Sequence, residues 1–170
     1  MSDAEHPNLA GRYQLLEPIG EGSFSITWRA TDAVLGRDVA IKVLRAQFVQ
    51  NMAFSARFEN EARAAALISH PNVIPVFDYG RDNGSLYIVM EYVAGPTFKE
   101  YLRNEAPLPV DEAIEFTRQV LEGLGVIHDA GIIHRDVKPQ NVLMVHERLV
   151  KLTDFGIARV DAAHAGLTDA

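Results

Sequence analysis

His134-Arg135-Asp136-Val137-Lys138-Pro139-Gln140-Asn141 gathers charged and amide side chains directly behind an apolar run, Gly131-Ile132-Ile133. Such a density of charge is unusual for a generic loop. Two short strands are predicted beyond it, around Val142-Leu143-Met144 and Val150-Lys151-Leu152, and Asp154-Phe155-Gly156 follows the second. An acid, an aromatic and a glycine also meet by chance, so that triplet gains weight only beside the longer stretch. Upstream, Pro109, Asp111 and Glu112 open a long helix with proline and acids where a first turn favours them. Ala113, Phe116, Val120, Leu124 and Ile127 form its apolar stripe, and Gly131 ends it. A shorter helix is predicted over Thr97 to Asn104, behind a break at Gly95-Pro96.

Before that break the chain is strand-like. Tyr13 to Ile19, Ser25 to Thr31 and Asp38 to Leu44 are three successive strands, a meander. A helix is predicted over Ala53 to Ser69, with Phe54, Phe58, Ala62, Ala65 and Ile68 on one face, ended by His70-Pro71-Asn72. Val73 to Tyr79 and Ser85 to Tyr92 follow as strands joined by a hairpin turn at residues 81–84. The fold class is therefore α+β: a five-stranded antiparallel lobe with one helix, then the first, mainly helical part of a second lobe. The predicted division is a flexible leader over 1–11, an N-lobe with its hinge over 12–94, and a partial C-lobe over 95–170.

Gly20-Glu21-Gly22-Ser23-Phe24-Ser25 lies between two of these strands. Glycine lets backbone amides approach phosphate oxygens, although glycine pairs also serve simple turns. A dinucleotide loop would run into a helix, whereas Ile26-Thr27-Trp28 is strand-like, and a Walker A loop needs a Gly-Lys-Ser/Thr that is absent. A glycine flap over phosphates remains. In Ala40-Ile41-Lys42, strand alternation puts Ala40 and Lys42 on one face. The lysine needs a partner there, either phosphate or a carboxylate from the following helix. Glu61 falls inside that helix's apolar stripe, whereas Glu59 lies roughly 100° away. A carboxylate on an inward stripe is costly unless paired, so Glu61 is the expected partner of Lys42, against the alternative of a glutamate on a solvated edge.

In this order, and each in its expected context, these motifs resemble the protein-kinase signature set. The resemblance runs from Arg12 to Arg159. Lys138, two places after Asp136, resembles the Ser/Thr branch, and Tyr87 to Tyr92 and Asp154 to Arg159 are similar to bacterial eukaryotic-like Ser/Thr kinases. The resemblance implies ATP and Mg2+ as cofactors and Ser/Thr hydroxyls of a protein as substrate. It implies catalytic roles for Asp136, Lys138, Lys42 and Glu61, and magnesium ligation by Asn141 and Asp154. Nucleotide contact is implied for the flap residues Gly20, Glu21, Gly22, Ser23, Phe24 and Ser25, and for Lys42. Ile19, Thr27, Ala40 and Leu143 would line the adenine pocket, beside the gatekeeper Met90 and the hinge residues Glu91 and Val93. His134 is implied to support the loop and Arg135 to receive an activation-loop phosphate; Thr168, the one hydroxyl after Asp-Phe-Gly, is a candidate phosphorylation site against the alternative of a solvated threonine. Ser25 in place of the third flap glycine and Thr27 in place of the usual valine depart from the pattern.

The 170 residues carry a formal net charge of −7, which argues against nucleic acid as the main partner. With no cysteine, disulfides, thiolate metal sites and a cysteine nucleophile are excluded. No apolar run approaches a membrane span, and the expected location is the cytoplasm, with an anchor in a longer parent protein left open. Only 14 residues follow Gly156, and the Ala-Pro-Glu that closes an activation segment is absent. The expectation is thus a kinase domain whose C-lobe would be completed by a missing region or partner, with little activity alone. The alternative is a non-catalytic ATP-binding or protein-interaction module.

Overall fold

The computed structural model describes residues 8–146 and 148–154. Six strands form one antiparallel sheet: β1 (Asn8–Leu9), β2 (Tyr13–Glu21), β3 (Ser25–Asp32), β4 (Arg37–Leu44), β5 (Val76–Asp82) and β6 (Ser85–Glu91). Their order across the sheet is β1-β2-β3-β4-β6-β5. Five of these strands were expected. The sixth, β1, arises inside the presumed leader, where Asn8 and Leu9 pair with Gln14 and Tyr13 and bury Leu9. The alternation along β4 separates two apolar clusters. Ala40 and Leu44 face the main core, while Val39 and Ile41 join Tyr13, Leu15, Ala30, Tyr87 and Val89 on the outer face.

Several strand boundaries differ from the periodicity. Strand β2 runs on through Gly20 and Glu21, so the flap is a continuation of the ladder, closed by a Gly22 N–H···O bond to Ser25 of 2.9 Å. Strand β5 begins at Val76 rather than Val73. Residues 73 and 74 are diverted: Val73 bridges Leu152, and Ile74 donates its N–H to the Leu152 carbonyl at 2.9 Å. Pro75 then has no N–H for a ladder. Strand β5 also continues to Asp82, leaving a two-residue turn at Asn83 (φ 46°) and Gly84 (φ 77°). Positive φ at both places is the type I′ hairpin that strand twist favours.

A short helix absent from the sequence reading, α1 (Ala46–Val49), leads into α2 (Met52–Ala65), capped by Asn51 accepting from the Phe54 amide at 3.1 Å. The α2 stripe Phe54, Phe58, Ala62 and Ala65 is buried as predicted, and so is Ile68, although the helix stops before it. Beyond the hinge come α3 (Phe98–Glu105), α4 (Val110–Asp129), a 3-10 turn over Pro139–Asn141, and the hairpin β7 (Val142–His146) with β8 (Leu149–Leu152). Gly131 ends α4 with φ 76°, its N–H donating to His128 and that of Ile132 to Ile127, a Schellman closure. The buried face of α4 is Phe116, Gln119, Gly123 and Ile127. Ala113 is exposed and Val120 and Leu124 are half-buried, because the face turned to β8 includes the small Gly123 and the polar Gln119, which an apolar periodicity passes over.

Gln119 makes that burial tolerable by satisfying four groups. Its Oε1 accepts from Asn72 Nδ2 (3.0 Å) and the Val150 amide (3.0 Å), and its Nε2 donates to Glu115 (2.9 Å) and the Arg148 carbonyl (2.7 Å). Asn72 also donates to the Val150 carbonyl at 2.9 Å. The segment after α2 is therefore tied to α4 and to the β7–β8 hairpin. One core cluster, from Ala40 and Phe58 through Met90 to Phe116 and Leu152, runs through both lobes.

Candidate active site

A cleft of about 760 Å³ lies between the sheet and the helical lobe. Every residue expected to contact nucleotide lines it. The flap residues 20–25 and Ile19 with Thr27 border it on one side, Ala40 and Lys42 come from β4, Met90, Glu91 and Val93 from the end of β6 and the hinge, and Leu143 from β7. Asp136, Lys138, Asn141 and Asp154 line the same space. Neither flap glycine has a positive φ, so their contribution is a bare backbone edge rather than a turn conformation. A β-carbon at Gly20 would meet only Thr27 at 3.7 Å. Ser25, where a third glycine was expected, is buried and paired with Leu44 at the start of β3. The flap is anchored further by Phe24, whose ring packs on Phe48 and Phe54 at centroid distances of 5.0 and 5.6 Å.

At the far end of the cleft the polar side chains interlock. Lys42 Nζ contacts Asp154 Oδ1 at 2.5 Å, with the lysine side chain only 9% exposed. The predicted partner Glu61 stands in α2, but its side chain lies outside the described residues. Glu59, the rejected alternative, points elsewhere and pairs with Arg81 at 3.6 Å. Asp136 is held from two directions: Lys138 Nζ lies 2.7 Å from its Oδ2, and Asn141 Nδ2 donates to the same oxygen (3.1 Å) and to the Asp136 carbonyl (2.9 Å).

His134 supports this loop from below, buried to 1% exposure. Its Nδ1 accepts from the Asp136 amide at 3.3 Å, so Nε2 carries the proton and donates to the Thr153 carbonyl at 3.1 Å. Burial pushes the imidazole pKa below its ordinary range, which favours the neutral ring that this bonding requires. Thr153 returns its own N–H to the Asn141 carbonyl at 3.0 Å. Asp154 leaves that tie with φ 59°, a left-handed conformation that aspartate tolerates better than most residues. Arg135 has φ 62°. Phe155, Gly156 and Thr168 lie outside the described residues.

The cleft also contains residues that the motifs did not mark for it: Tyr92, Ala94, Gly95, Thr97, Glu100, Gln140 and Thr153. For two of them a signal was present. Thr97-x-x-Glu100 is a capping box, with the Glu100 amide donating to Thr97 Oγ1 (3.2 Å) and Glu100 Oε2 accepting from the Thr97 amide (2.8 Å). The Thr97 amide, then its hydroxyl, hold the Glu100 carboxyl below its ordinary pKa. Among the described residues no three His, Cys, Asp or Glu side chains cluster as a metal cage. No helix there is long and apolar enough to cross a membrane.

A twisted antiparallel sheet over a helical lobe, a flap above the cleft, and a lysine–aspartate contact beside a braced His-Arg-Asp loop define the class of protein kinase folds. The chain belongs to the protein kinase domain family, which matches residues 13–169. It is 42% identical to the serine/threonine-protein kinase PrkC of Bacillus subtilis over 88% of this chain and 23% of that protein. It is 47% identical to a probable serine/threonine-protein kinase PknB of Lactococcus lactis over 89% and 24%, and 42% identical to PknB of Mycobacterium leprae over 95% and 27%. It thus spans about a quarter of the length of these relatives. The solved kinase domain of Mycobacterium tuberculosis PknI aligns with a TM-score of 0.79 at 30% identity, over 93% of this chain and 64% of that one. Rad53 residues 1–466, solved with AMP-PNP, align with a TM-score of 0.77 at 29% identity, over 86% and 38%.

Proposed function

We propose that this chain binds ATP in its interlobe cleft and serves the phosphorylation of Ser/Thr hydroxyls on proteins. The observation that carries the proposal is the meeting, in one cleft, of Lys42 on Asp154 with Asp136 held by Lys138 and Asn141. Phosphoryl transfer asks mainly for positioning and charge stabilisation, and this set supplies both. Lys42 attracts the α- and β-phosphates and Glu61 restrains it. Asp136 orients the substrate hydroxyl and takes its proton, and Lys138, already on Asp136, offsets charge on the transferring group. Ile19, Thr27, Ala40 and Leu143 enclose the base beside Met90, and backbone groups of Glu91 and Val93 face its edge. Residues 12–94 act as the N-lobe with hinge, and 95–170 as part of the C-lobe.

The donor set suits magnesium. Asn141 commits its amide nitrogen to Asp136, which leaves Oδ1, and Asp154 meets Lys42 through Oδ1, which leaves Oδ2. Hard oxygens in small number, completed by phosphate, are what this ion takes. Held by Asn141 and Asp154, it would neutralise phosphate charge. The support from relatives is their naming as bacterial Ser/Thr kinases and the AMP-PNP bound to Rad53. ATP as donor makes the cytoplasm the proposed location.

The test is phosphate transfer from Mg-ATP to a generic basic protein, followed by mass. Asp136→Ala should reduce the rate by roughly 10²–10⁴-fold, the range for losing a general base. Thermal stabilisation by Mg-ATP without transfer would favour the binding-module alternative. The absence of both transfer and stabilisation would sink the proposal.

A further inference from the structure

We propose that Lys151, through its ion pair with Glu91, is a positioning residue that fixes the span between the base-binding and phosphate-binding ends of the cleft. This rests on the nucleotide proposal above. Strand β8 buries Val150 and Leu152 in the core and turns Lys151 to the other side. There Lys151 stands directly opposite Leu143, the residue on the cleft floor; opposite residues in a ladder share a face. Its Nζ bonds Glu91 Oε2, with the two side chains 13% and 29% exposed. Glu91 is the last residue of β6, and its own N–H is held by the Pro75 carbonyl at 3.1 Å.

Strand β8 and the residues just after it are consequently fastened to the N-lobe by two ion pairs. Lys151 meets Glu91 at the hinge end, and three residues later Asp154 meets Lys42 at 2.5 Å at the phosphate end. An ammonium this far withdrawn from water is tolerated because it is paired. Neither Lys151 nor its carboxylate partner is needed for chemistry at the phosphate. Their pairing instead sets where the hinge backbone sits relative to Lys42 and Asp154. A ligand that touches both ends at once depends on that distance, and a ligand that touches one end does not.

The experiment measures binding of three probes to the whole chain by calorimetry: Mg-ATP, adenosine, and magnesium tripolyphosphate. Lys151→Met should weaken Mg-ATP about tenfold, while adenosine and tripolyphosphate each change by less than about twofold. Glu91→Gln should reproduce the pattern, and the double variant should be no worse than either single one. Because Glu91→Gln preserves the shape of the pair, it carries the test if Lys151→Met does not fold. Equal weakening of all three probes, together with a lower melting temperature without ligand, would mean a merely structural pair and overturn the proposal. So would Mg-ATP affinity unchanged in both variants. Failure of the unsubstituted chain to bind Mg-ATP would instead remove the nucleotide proposal on which this one stands.

Discussion

A β-carbon on Gly95 would stand 1.9 Å from the carbonyl oxygen of Met144. Backbone on backbone cannot give way cheaply, so Gly95→Ala should lower unfolding free energy by more than about 2 kcal/mol in urea titration, the scale of overpacking in a closed site. Gly125 offers the opposite case: it is exposed, lies inside α4 and has nothing within 4 Å of the same point. Gly125→Ala should raise stability by about 0.5–1 kcal/mol through helix propensity alone. Asp32 yields a prediction in pH. Arg12 grips its carboxylate at 2.9 and 2.7 Å, and the amides of Leu35 and Val34 add to this, so that its pKa falls to about 2. The folded state then binds this proton less readily than the unfolded one. Its contribution is whole above the ordinary carboxylate pKa of 3.8 and is lost as pH falls through about 2. Urea titrations from pH 6 downward should show wild type and Asp32→Asn converging as the solution is acidified below pH 3.8.

At the scale of elements, the junction between α4, β8 and the segment after α2 hangs on one amide side chain. Gln119→Leu would orphan the buried Val150 N–H, whereas the carbonyl of the exposed Arg148 can turn to water. A buried group left without a partner costs about 1–3 kcal/mol, so a loss in that range is expected by denaturant titration. Gln119→Glu should be no milder, since it sets a second oxygen against the Arg148 carbonyl and Glu115. Element existence and type were largely legible beforehand. The α2 face and the β4 alternation could be read because period and burial agree there. What misled was local signal overridden by tertiary pairing. Val73 looks like the start of a strand and is one residue of a bridge to Leu152, and Ala113 fits an apolar stripe whose actual face contains Gln119 and Gly123. The two-residue strand β1 and the four-residue α1 are too short to produce a period at all.

On the scale of the whole molecule, a single apolar cluster joins residues of both lobes across the cleft. The lobes should therefore unfold together. Fluorescence of Trp28, the chain's one tryptophan and part of the sheet, should melt with the far-ultraviolet helical signal dominated by α2 and α4. Two separated transitions would contradict this. Mg-ATP at a hundredfold excess over its Kd should raise stability by about 2.7 kcal/mol without splitting the transition.

The sequence by itself identified the flap, the β4 lysine and the charged loop that border the cleft, though not every residue that lines it. Those signals are local: a glycine pair between strands, a lysine at a fixed phase of β4, and a charged loop behind an apolar run. Tertiary structure alone decided how they are joined. Lys42 meets Asp154 across 112 positions, Lys151 meets Glu91 across 60, and Asn72 meets Gln119 across 47. Periodicity reports which face a side chain occupies, whereas an ion pair or buried amide depends on where two distant elements come to rest. The charged loop around Asp136 could thus be recognised from its own residues. That His134 braces it from Thr153, that Asn141 holds its acid, and that Lys151 ties β8 back to the hinge follow only from the packing of the two lobes.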